Sequence, residues 1–117
     1  NTGDLVDGAC KAWVTFDGTT NTAGLCTIND SFGVTSVTDI GVGQYLVTFS
    51  TAFADTNYAT FMSGLRAKGS DAANDCDVRE RQSTARTTTA ILIQASAIST
   101  HTTAIDPEIV CFMAMGS

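Results

Sequence analysis

The chain has 117 residues, twelve acidic and six basic side chains, and a net charge of −6, with only 15% of its residues charged. That length makes a single domain able to bury its own core, and the negative sign turns most of the surface away from DNA, RNA and other polyanions, so nucleic acid is excluded as a partner. Abundant threonine and a single proline, Pro107, favour pleated sheet over helix, and no run is long and apolar enough to span a bilayer as a helix.

Residues Asn1 to Ala9 carry only Leu5 and Val6 between acids and glycines. They read as an N-terminal connecting segment ahead of a domain over 10–117. Position 1 is asparagine, as in a processed product or a fragment. A first strand follows in CKAWVTFD, where Cys10, Ala12, Val14 and Phe16 share one face and Lys11, Trp13, Thr15 and Asp17 the other. The single tryptophan therefore falls on the polar side, either covered by a neighbouring loop or in contact with another subunit or a sugar. Gly18 to Asp30, rich in threonine, asparagine and glycine, reads as a surface loop tied down at Leu25, Cys26 and Ile28. It holds a glycosylation acceptor pattern at Asn29, completed by Ser31.

The clearest stretch is Ser31 to Thr51. Phe32, Val34 and Ile40 bracket one strand, Tyr45, Val47 and Phe49 alternate in a second, and Gly41-Val42-Gly43 turns between them. Ala52 to Asn57 reads as a turn. Tyr58 to Leu65 is apolar on both faces, the pattern of an interior strand. Arg66 to Arg86 holds every basic residue except Lys11 and reads as a long exposed excursion, within which Val78 to Arg86 forms either a short strand or a helical turn. Thr87 to Ser99 is a strand with Ile91, Ile93, Ala95 and Ala97 on one side, and Glu108 to Met115 is the last, opened by Pro107. The expected architecture is all-β: a single antiparallel sandwich of about seven strands with long polar loops, cored by Phe16, Phe32, Tyr45, Val47, Phe49, Ile91, Ile93 and Cys111.

Four cysteines, Cys10, Cys26, Cys76 and Cys111, fit none of the close-paired zinc spacings. They read as two disulfides of an extracellular protein, or as four buried thiols. Three connectivities are open. Joining first strand to last and loop to loop would pair Cys10 with Cys111 and Cys26 with Cys76.

A dense set of residues, Lys11-Ala12-Trp13-Val14, Phe16 and Gly18-Thr19, then Ser31-Phe32, Val34, Ser36 to Asp39, Gly41, Gly43, Tyr45, Val47 and Phe49, then Ala54-Asp55 and Asn57-Tyr58, resembles a small β domain recurrent in phage tail fibres and related virion proteins. The resemblance covers about residues 11 to 60. It implies a structural or receptor-facing role without catalytic residues, with Trp13, Phe16, Phe32, Tyr45, Phe49 and Tyr58 as sheet and core determinants. The charged stretch 66 to 86 and the four-cysteine set lie outside that pattern.

Little in the chain suggests catalysis. His101 is the only histidine, no nucleophile elbow surrounds any serine, and phosphate-binding glycine patterns are missing. Asp71, Asp75 and Asp77 are spaced loosely like calcium ligands, but lack the glycine and terminal glutamate of the helical calcium loop and read as a solvated acidic loop. No metal, cofactor or enzymatic activity is expected. The expected role is a structural subunit of an extracellular fibre or tail-fibre-like appendage. It would self-assemble into a filament or trimer through its β edges, its N-terminal segment (Leu5, Val6) and the Trp13 face; the last strand, uncharged after Glu108, or the first strand would supply the open edge. The alternative is a carbohydrate- or receptor-binding adhesion module displayed on such a fibre.

Overall fold

The structure is a computed structural model and describes residues 10–66, 76–81, 83–97 and 103–117. Eight strands run in chain order: β1 Cys10–Thr22, β2 Leu25–Phe32, β3 Val34–Gly41, β4 Gln44–Phe49, β5 Ala59–Leu65, β6 Asp77–Glu80, β7 Ala90–Ser96 and β8 Ile109–Met115. No helix occurs among the described residues. Every pairing is antiparallel, in the order β5-β8-β1-β2-β3-β4-β7-β6. The protein is thus all-β, but one nearly closed, barrel-like sheet of eight strands replaces the expected seven-strand sandwich.

The extra strand comes from the stretch read as a surface loop. β1 continues to Thr22, the chain reverses at Ala23-Gly24 with φ of 54° and 87°, and β2 returns along it. Two successive positive φ angles make the tight turn whose twist suits a hairpin. The polar composition of this hairpin reflects an outer face in solvent, while Cys26 and Ile28 point into the core. Gly33, at φ 71°, then turns the chain sharply from β2 into β3. A Cβ there would stand 2.2 Å from the Lys11 carbonyl oxygen, so only glycine fits.

β2 and β3 share a single rung, Leu25 with Thr38, which presses the barrel into two four-strand halves. At the other side β5 and β6 meet through side chains. A Cβ on Gly64 would lie 2.8 Å from Val78 Cγ2 and 2.9 Å from Cys76 Sγ, so glycine is what lets β6 come this close. Arg86 crosses the same seam. Its guanidinium holds Glu80 at 2.7 and 3.1 Å, lies 4.5 Å from the Tyr58 ring and donates to the Tyr58 carbonyl.

The core lies between the two halves. Phe16 meets Tyr45 edge-on at 5.1 Å, and Phe49 stacks on Phe112 at 6.2 Å. Phe49, Phe53 and Tyr58 form a second cluster, with centroids 4.3 to 5.5 Å apart, around one end of the barrel. Phe16, Tyr45, Val47, Phe49, Ile91 and Ile93 are buried as expected. Phe32 is not: it ends β2 pointing outward and is 59% exposed. Cys111 is half-buried on the outer face of β8, because Val110 and Phe112 take the inward positions.

Three further expectations change. β5, read as an interior strand, is the terminal strand at the seam, and its outward Ala59, Phe61 and Ser63 are exposed. β1 and β8, expected as candidates for an open edge, are neighbours in the middle of one half. Phe53, in a stretch read only as a turn, is buried beneath the Lys11 ammonium, which lies 4.8 Å from its ring and donates to the carbonyls of Ala52 and Ser117.

Candidate interaction surface

Alternation along four adjacent strands produces the most distinctive feature of the surface. With Ala12, Val14 and Phe16 of β1 directed inward, Trp13 faces outward; by the same rule Met113 of β8 and Phe61 of β5 face outward. The register aligns them. Phe61 pairs with Met113, Met113 with Trp13, and Trp13 with Phe32, giving one continuous apolar row across β5, β8, β1 and β2. Phe61 and Phe32 are each 59% exposed and Met113 40%; Trp13 between them is half-buried. Single exposed apolar residues are ordinary on a protein surface, but four in register form a patch that water solvates poorly.

The next rung is polar and smaller: Ser63, Cys111, Thr15 and Asp30. The Thr15 hydroxyl donates to Cys111 Sγ at 3.8 Å. The drop in size from Phe61 and Met113 to Ser63 and Cys111 leaves a hollow of about 190 Å3 between β5 and β8. That is smaller than the roughly 300–1,000 Å3 of small-molecule sites and suits a single protein side chain.

No disulfide joins any of the four cysteines. The pairing of Cys10 with Cys111 is ruled out by register: Cys10 lies opposite Met115 and Cys111 opposite Thr15, four residues along the ladder or about 14 Å away, against the roughly 7 Å Cα limit for a bond. Cys26 is buried in β2, across the barrel from the β5–β6 seam where Cys76 stands, so that pair does not meet either. Burial, then the charges of Asp39, Asp106 and Asp17, push the Cys26 thiol up to about 12. It packs as a neutral apolar group.

Asn29 is exposed on β2, in the irregular stretch where the β1–β2 register shifts. Asp77 pairs with Arg79 at 3.0 Å. Asp71, Asp75 and His101, together with Leu5 and Val6, lie outside the described residues. Phe61 and Met113 escaped notice in the sequence because their neighbours Met62 and Phe112 are also apolar, and such a run looks the same whether one face or both are covered. Compared with protein-family models, with curated proteins and with solved structures, the chain gives no match.

Proposed function

We propose that this protein is a non-enzymatic structural subunit of an extracellular fibre or tail-fibre-like appendage, self-assembling as a homo-oligomer. One observation carries the reading: the apolar row Phe61, Met113, Trp13 and Phe32, which lies open across four strands in register. The resemblance of residues 11 to 60 to the tail-fibre domain supplies the setting, and the extracellular location rests on it now that no disulfide supports it. On this reading the contact lies on the sheet face, not at a strand edge. β1 and β8 are internal strands, and β5 and β6 blunt each other at the seam. The segment 1 to 9, which carries Leu5 and Val6, is the proposed connector to the next subunit in a filament or trimer. A chain lacking residues 1 to 9, compared with the complete chain by sedimentation and electron microscopy, tests that role; equal assembly removes the segment as connector.

A second reading, a carbohydrate- or receptor-binding module, draws on the same face. Aromatic rings beside Asp30, Thr15 and Ser63 resemble in chemistry a platform on which a sugar stacks while its hydroxyls find partners. Titration of neutral oligosaccharides against Trp13 fluorescence separates the two.

A further inference from the structure

We draw no further inference here: the strongest candidate, the apolar surface row of Phe61, Met113, Trp13 and Phe32 on the outer face of β5, β8, β1 and β2, is an unpartnered patch, and nothing in the structure shows what covers it.

Discussion

Tyr45 carries more of the architecture than its size suggests. Its hydroxyl lies 2.9 Å from both the Gly18 carbonyl oxygen and Asp106 Oδ1, and the same Asp106 oxygen accepts the Gly43 N–H at 2.8 Å. One buried phenol therefore ties β4 to β1 and to the segment ahead of β8. Tyr45→Phe should keep the ring packing and lose about 1–3 kcal/mol of stability by leaving buried acceptors short of a donor. Phe49→Ala should lose about 3–5 kcal/mol, since three aromatic neighbours, Phe53, Tyr58 and Phe112, converge on that ring, while Phe32→Ala should leave the urea midpoint unchanged. The two buried acids also make an alkaline signature. Burial raises Tyr45, with the Asp106 bond and charge adding to it, and raises Cys26 to about 12. Both groups are neutral when protonated, so the stability they contribute is complete below their unfolded values of 9.0 and 10.0 and is lost as pH climbs toward 12. Urea midpoints should hold up to about pH 8.5 and fall steeply above it, with a shallower fall in Cys26→Ala.

Among the elements, the β5–β6 seam is where the sheet is held by side chains instead of a ladder. Gly64 admits Val78 and Cys76, and Arg86 bridges Glu80 to the Tyr58 carbonyl. Ion pairs on open surface contribute little, but this guanidinium is packed on a ring and bound at both ends, with only 22% of its side chain exposed. Arg86→Ala should cost about 1.5–3 kcal/mol. More tellingly, hydrogen exchange should quicken in β5 and β6 and leave β4 and β7 protected, because local opening starts where backbone bonds are fewest. Uniform acceleration across all strands would show that the barrel opens only as a whole. Gly64→Val should produce the same local pattern more strongly, by pushing Val78 and Cys76 away.

At the scale of the molecule, the barrel closes without covalent help. β1 pairs with β8, joining the two ends of the described domain, and the aromatic clusters fill the space between the halves. Reductant should therefore leave the melting temperature unchanged, and a folded, unreduced sample unfolded in denaturant should alkylate at all four cysteines by intact mass. A mass two units low per missing pair of alkylations would reveal a bond formed after folding. The same long-range closure predicts slow refolding, in milliseconds to seconds, since the ladder between the first and last strands carries the largest loop-closure cost in the chain.

Much of the sheet was legible from residue order alone. The alternation of Tyr45, Val47 and Phe49, the glycines around Val42 and the Ile91–Ile93 face follow from a period of two that local sequence displays directly, and β3–β4 pairs Val37 with Val47 as a hairpin should. Threonine and asparagine between Gly18 and Asp30 suggested a loop because composition reports how wet a segment is, not whether its backbone is paired. The hardest distinction concerned Phe32, Phe61 and Met113. Periodicity shows which side chains share a face, but whether that face is covered depends on strand order, and strand order is set by contacts between residues as far apart in sequence as Phe61 and Met113 or Trp13 and Phe32. The β content, the β3–β4 hairpin and most of the inward residues were therefore determined by the sequence read locally. The seam, the absence of disulfides and the apolar row with its exposed Phe61, Met113 and Phe32 were decided only when the tertiary structure placed β5, β8, β1 and β2 side by side.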